Sequence, residues 1–385
     1  VSGNPTMTDT PASSAPSIPE DPRPALLGLR RERLAELLEP LIDKPFRVRQ
    51  IFDALHHRGV ERFDQMTDLS KDLRAALDER FRVGLPRVVE RAPSDDGTVK
   101  YLFELEGAPG PGGVAATIEA VAIPDGDRMT FCISSQAGCG LACKFCVTGF
   151  WGPGRNLTAG EIVGQVLAIR RDLELPASGF NLVFMGMGEP LMNLPAVRDA
   201  LDLLTEAVSW RRITVSTAGV APGIGTMASW PQRPNLALSL HAPDDGRRTA
   251  LMPINRTYPI AELMDALRRY PLERGRRITI EYILIRGFND SVADADALAR
   301  LLGSLRVKVN LIPINPDPVL GEDMVPPDDR QIALFQARLE RRGLVATVRR
   351  RRGDDVSAAC GQLRAFGRDP RGFREGLHPA ARAED

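Results

Sequence analysis

Three cysteines stand close together in this chain, Cys139, Cys143 and Cys146, separated by three and then two residues. Thiolates from one short loop can each ligate a different iron of a cubane iron–sulfur cluster, and three of them leave the fourth iron open. A structural zinc ion wants four closed ligands, usually in two paired-cysteine knuckles, so zinc would have to recruit Cys132 or Cys360 as a fourth. The chain holds five cysteines, four of them between Cys132 and Cys146. An odd, clustered set argues against a disulfide framework and for metal binding or redox chemistry in a reducing compartment. Cys360 stands apart, in Ala358-Ala359-Cys360-Gly361. Small neighbours leave a thiol accessible, as a nucleophile must be; they equally suit a small core residue.

The three-then-two spacing resembles the signature of the radical S-adenosylmethionine (SAM) superfamily, in which the open iron chelates the amino and carboxylate groups of SAM. Other short polar groups suit such a ligand. Gly186-Met187-Gly188-Glu189-Pro190 combines glycines, which allow close backbone approach, with a carboxylate able to pair with an ammonium. Ser216 and Ser239-Leu240-His241 offer groups for ribose hydroxyls or a carboxylate, and Asn315 offers the donor and acceptor together that adenine recognition needs. Phe145, just before the last cysteine, either covers the adenine or simply packs. Two arginine-rich runs, Arg349–Arg352 and Arg268 to Arg277, are either nucleic-acid phosphate contacts or solvated faces, and the first is favoured for contact by its place beside Cys360.

These residues need a frame. Runs of β-branched and apolar residues at 129–135, 180–185, 212–217, 235–241, 278–285 and 307–312 alternate with amphipathic helical segments. One such segment, 159–172, opens with Thr158 and carries Glu161 three residues on, a capping box. Six strand-then-helix units imply a parallel sheet, and six is short of the eight of a closed barrel, so the expectation is an α/β fold with a partial (β/α)6 TIM-like barrel over 129–365. In such barrels chemistry sits in the loops after the strands, and the clustered cysteines, the glycine-rich motif, Ser216, Ser239–His241 and Asn315 all fall at strand ends.

Upstream, 25–85 reads as a small helical module: Leu34, Leu37, Leu38 and Leu41 keep helical spacing, Phe46–His57 follows Pro45 as a first helical position, and Ser70 suits an N-cap. Residues 86–128 read as a short β-rich linker broken by Asp95-Asp96-Gly97 and a Gly/Pro run over 107–113. Residues 1–24 and 366–385 read as tails, the first rich in Pro, Ser and Thr. Lys plus Arg and Asp plus Glu both total 50 in 385 residues, so a nucleic-acid binder of this kind could not rely on a global positive field and would need local basic patches and shape. No run of about 18 apolar residues and no signal-like N-terminus is present, so no membrane association and a cytoplasmic monomer are expected.

At this point the residues resemble a family. Lys44-Pro45-Phe46-Arg47 with Gln50-Ile51, Met66–Ser70, Ile123-Pro124, the three cysteines, Arg155–Ile162, Gly186–Pro190, Ser239–Ala242 and Arg352–Leu363 are similar to the dual-specificity 23S rRNA/tRNA adenine-C2 methyltransferases, the RlmN branch of the radical SAM methylases, from about residue 30 to 365. The resemblance implies a 4Fe–4S cluster on Cys139, Cys143 and Cys146, and SAM contacts from Gly188, Glu189, Ser216, Ser239, Leu240, His241 and Asn315. It implies two SAM per turnover: one methylates Cys360, and the second, cleaved to a 5′-deoxyadenosyl radical, activates that methyl to join carbon 2 of adenosine 2503 of 23S rRNA, or of adenosine 37 of tRNA. It makes Glu119 the acceptor of the carbon-2 proton and Cys132 the residue that releases the adduct by forming a disulfide with Cys360. A one-electron reductant and a thiol reductant are then required. Val147 after the last cysteine and the segment Trp151–Gly154 depart from the family pattern. The alternatives are a Cfr-type methylation of carbon 8 and a zinc-dependent RNA-binding protein without catalysis.

Overall fold

The computed structural model describes residues 21–106, 116–349, 351–353, 355–359 and 361–363. Its centre is a ten-stranded sheet with the strands side by side in chain order. They are β1 (Arg87–Pro93), β2 (Val99–Glu104), β3 (Thr117–Asp125), β4 (Arg128–Cys132), β5 (Asn181–Phe184), β6 (Ile213–Thr217), β7 (Asn235–Ser239), β8 (Ile278–Leu284), β9 (Val307–Pro313) and β10 (Val345–Val348). From β4 to β10 every neighbouring pair is parallel, whereas β1 to β4 form an antiparallel meander. The α/β partial barrel expected from the sequence is therefore present, with two additions. The six expected strands are joined by a seventh parallel one, β10, whose four residues are half exposed and give a weak signal. The stretch read as a β-rich linker continues the barrel sheet, because β3 pairs directly with β4.

Eleven helices surround the sheet among the described residues: α1 (Arg31–Leu38), α2 (Phe46–Asp53), α3 (Lys71–Arg80), α4 (Val147–Phe150), α5 (Ala159–Asp172), α6 (Leu194–Leu204), α7 (Ala221–Ala228), α8 (Asp245–Leu251), α9 (Ile260–Arg269), α10 (Val292–Leu302) and α11 (Asp329–Arg341). Helix α2 continues as a π turn to Arg58 and stops at Gly59, whose φ of +67° no helix can continue. Pro45, expected as the first helical position, instead occupies the N-cap of α2, and the helix begins at Phe46. None of these helices is long and apolar enough to cross a membrane.

The N-terminal helices pack on the barrel through one core that includes Leu26, Leu34, Phe52, Ile162 and Val166. Residues 25–28 run beside 82–83, with Leu26 N and Leu27 N donating to Arg82 O and Val83 O at 3.0 and 2.9 Å. They then cross the first turn of α5. A Cβ on Gly160 would stand 2.4 Å from Leu27 O, and one on Gly28 would stand 2.2 Å from Gly160 N, so only two glycines permit this crossing. The Gly28 amide donates to His56 Nε2 at 3.1 Å, while His56 Nδ1 lies 3.2 Å from Phe52 O and so carries the proton of the neutral ring.

Candidate functional site

Beyond β4 the chain pairs Gln136–Ala137 antiparallel with Arg155–Asn156, closing the loop that carries all three clustered cysteines. The neck of this loop is tight: a Cβ on Gly154 would fall 1.4 Å from Ala137 O. Cys139 N donates to Gly152 O at 2.9 Å, Lys144 N to Leu251 O at 2.9 Å and Cys146 N to Cys143 O at 3.2 Å, so the loop's backbone is fixed from inside and from α8. Burial pushes the Cys139 thiol up to about 12, with the neighbouring Cys146 adding to it. Cys143 is driven up further by burial and then by Cys146 and Cys139, against an opposing pull from Arg248. Three mutually repelling thiolates in one buried loop are unfavourable until a metal's positive charge is supplied. Among the described residues no three His, Cys, Asp or Glu side chains gather around a single ion. A sulfur-only set spread round an open loop suits a cubane, where each thiolate takes its own iron, better than one tetrahedral zinc.

The glycine-rich motif follows β5 and folds back over the residues after β4. The Met187 carbonyl accepts from Ser135 N at 2.9 Å, and Met187 N donates to Ser134 Oγ at 2.8 Å. The motif's glycines are needed for this packing itself. A Cβ on Gly186 would stand 2.7 Å from Ile133 C, and Gly188, at φ +94°, would press on Gln136 at 2.5 Å. Glu189 is buried, and its carboxylate accepts from Leu191 N at 3.0 Å and from Ala218 N at 2.7 Å, joining the ends of β5 and β6. Burial raises its pKa, and these hydrogen bonds, with one from Thr217, work against the rise.

The remaining polar candidates stand at consecutive strand ends. Ser216 and Ser239 are half-buried on β6 and β7. Leu240 is fully buried. His241 follows with φ +60°, its Nδ1 accepting from Ile283 N at 3.1 Å and its carbonyl from Asn289 Nδ2 at 2.8 Å. Burial holds its pKa down to about 3, so the ring is neutral with its proton on Nε2. Phe145 meets that ring edge-on at 4.5 Å. Asn315, buried after β9, lines a cavity with Cys132, Arg349, Arg351, Ala358 and Ala359.

Glu119 lies on β3, fully buried, with Lys100 Nζ 3.1 Å from its Oε1. Cys132 ends β4. Cys360 and Arg350 lie outside the described residues. The residues on either side of position 360 nevertheless dock beside the loop: Val147 N donates to Gly361 O at 2.6 Å, Thr148 Oγ1 donates to Leu363 O at 2.7 Å, and Ala359 shares the cavity with Cys132. Of the two arginine runs, Arg349, Arg351 and Arg352 border this cavity. The run from Arg268 to Arg277 ends α9 and leads into β8, at the strand ends opposite the motifs, so the fold does not bring it to the site.

Sequence reasoning passed over Arg248. It is fully buried, donating to Asn255 Oδ1 at 2.7 Å and to the carbonyls of Ala218 and Ser239 at 2.5 and 3.1 Å, and burial lowers its pKa to about 10. It clamps the ends of β6 and β7. Its partners are backbone carbonyls, which leave no mark in a sequence. Gln165 was missed likewise: its side-chain amide exchanges hydrogen bonds with the Ser134 backbone at 2.8 and 3.1 Å, extending β4 past its last ladder residue.

Residues 25–83 match the ribosomal RNA large subunit methyltransferase N-terminal domain, and residues 133–299 match the radical SAM superfamily. The dual-specificity RNA methyltransferase RlmN of Marinomonas sp. (strain MWYL1) is 46% identical over 88% of this chain and 92% of its own length. Its namesake from Anaeromyxobacter sp. (strain Fw109-5) is also 46% identical, over 93% and 96%. A solved radical SAM methyltransferase from Sphaerobacter thermophilus superposes with a TM-score of 0.82 at 44% identity, covering 89% of this chain and 99% of that one.

Proposed function

This chain belongs to the RlmN family of radical SAM RNA methyltransferases, and on that premise we propose that it methylates carbon 2 of adenosine, at position 2503 of 23S rRNA and position 37 of tRNA. One observation carries the reading furthest. The residues flanking position 360 dock between Cys132 and the helix that follows Cys146, beside the loop that carries the three clustered cysteines.

Cys139, Cys143 and Cys146 would hold a 4Fe–4S cluster, and Gly188, Glu189, Ser216, Ser239, Leu240, His241 and Asn315 would surround SAM. When bound, cluster and SAM supply the one-electron chemistry that an electron-poor amidine carbon requires. Glu189 contributes a carboxylate for the SAM ammonium, pinned by the amides of Leu191 and Ala218 so that it need not reorganise. His241 contributes a neutral ring held in place at Nδ1 by the Ile283 amide. Cys360 carries the methyl group to carbon 2 and remains bonded to the RNA through it, at a cost of two SAM per turnover. Glu119 takes the carbon-2 proton. Cys132, as its thiolate, attacks the Cys360 sulfur; the carbon–sulfur bond breaks with its electron pair passing to the methylene carbon, which takes up a proton and becomes the methyl of the released RNA, and a Cys132–Cys360 disulfide remains for a thiol reductant. Arg349, Arg351 and Arg352 line the approach and suit the phosphates of an extruded nucleotide.

The test uses anaerobically reconstituted Cys132→Ala with an RNA fragment. It should accumulate protein covalently joined to RNA, seen as a shifted band on a denaturing gel, while the wild type releases RNA whose added methyl maps to carbon 2 by mass spectrometry. Normal turnover by the variant would remove Cys132 from its role. A methyl at carbon 8 would place the chain with the Cfr type.

A further inference from the structure

Glu119 sits on β3 with no solvent exposure, and Lys100 on β2 brings its Nζ to 3.1 Å from the carboxylate while being only 13% exposed itself. The pair is diagonal. Lys100 stands opposite Val121, two residues along from Glu119, so both side chains leave the same face of the sheet. Cys132 also stands opposite Val121, from the other side. Ammonium, carboxylate and thiol therefore share one face across three adjacent strands.

A carboxylate buried this completely without a cation is strongly unfavourable and takes up a proton instead. A carboxylic acid cannot act as a base. The backbone of Glu119 is held independently of Lys100, since Glu119 O accepts from Ser134 Oγ at 2.6 Å and Glu119 N donates to Met187 Sδ at 3.3 Å. What Lys100 adds is charge and aim.

We propose that Lys100 is a positioning residue for proton removal, keeping Glu119 ionised and oriented at the moment the RNA adduct must lose its carbon-2 proton. This rests on the reading of Glu119 as proton acceptor. The step is a proton transfer alone: the carbon–hydrogen bond breaks, its electron pair stays with the base ring, and the proton goes to a Glu119 oxygen.

The experiment is single turnover of the reconstituted full chain on an RNA fragment, following 5′-deoxyadenosine, covalent adduct and released methylated RNA together. Lys100→Met should form 5′-deoxyadenosine and adduct to the wild-type extent but release RNA at least about tenfold more slowly. Lys100→Arg, which keeps the charge, should restore most of the rate. Lys100→Met/Glu119→Gln should be no slower than Glu119→Gln alone, because both changes strike one interaction; a merely structural lysine would give additive losses. Should Lys100→Met not fold, Lys100→Gln repeats the measurement. Release at the wild-type rate by the neutral variant, while Glu119→Gln stalls, overturns the proposal. If Glu119→Gln itself releases RNA normally, the proton-acceptor reading fails instead, and the two failures are told apart by that variant.

Discussion

Gly188 shows how a residue can be legible without its reason being so. The sequence marks the Gly186-x-Gly188 pair as permitting close approach by a ligand, yet the closest neighbour of Gly188 is Gln136 of the chain itself. With φ at +94°, alanine there is strained as well as crowded. Gly188→Ala should destabilise the protein by about 1–3 kcal/mol in urea unfolding and weaken SAM binding in equilibrium dialysis, since it displaces the backbone that presents Glu189. Wild-type values of both would mean the loop has slack. Arg248 and Lys100 mark the other limit. Each is a charged residue made useful by burial against partners from elsewhere in the chain, and no spacing rule foretells it. Glu119 was visible only through family resemblance, for the same reason.

Helix α5 is the element whose sequence was most informative. Thr158 Oγ1 accepts from Glu161 N at 3.1 Å and Glu161 Oε2 accepts from Thr158 N at 2.8 Å, the reciprocal cap that its spacing foretells, and the helix runs over the expected residues. Glu161 also pairs with Arg155, on the strand that closes the cysteine loop. Thr158→Ala should cost about 1 kcal/mol by denaturant unfolding. Glu161→Ala should cost more and also loosen iron retention, measured as iron per chain after gel filtration; equal effects of the two would show that the Arg155 pair adds nothing. By contrast β10 was not legible. It is four residues long, half exposed, and merges into an arginine run, so its short β-branched stretch is too brief to stand out. Hydrogen-bond partnership is what places β1 to β3 in the barrel sheet, and pairing between strands is invisible in composition.

At the scale of the molecule, the N-terminal helices meet the barrel through the shared apolar core and through exposed ion pairs. Arg30 reaches Asp199 and Asp202 on α6, at 2.5 and 2.6 Å, but such surface pairs contribute little. His56 is different. Burial lowers its pKa to about 4, and as a neutral ring it accepts the Gly28 amide. The unfolded chain binds a proton near 6.5 and the folded chain only near 4, so the stability tied to this ring is intact above about pH 6.5 and is lost as pH falls toward 4. Thermal midpoints should fall across that interval, and His56→Gln should flatten the slope; an unchanged slope would assign the acid sensitivity elsewhere.

The crossing of Gly28 over Gly160 behaves as a fulcrum. Two backbones touch there with no side chain between them to yield, and His56 holds one of them from behind. A displacement of the N-terminal segment at this crossing would meet the first turn of α5, whose Glu161 pairs with Arg155 at the neck of the loop that carries Cys139. The N-terminal crossing and the neck of the cysteine loop are thus joined through a single helical turn.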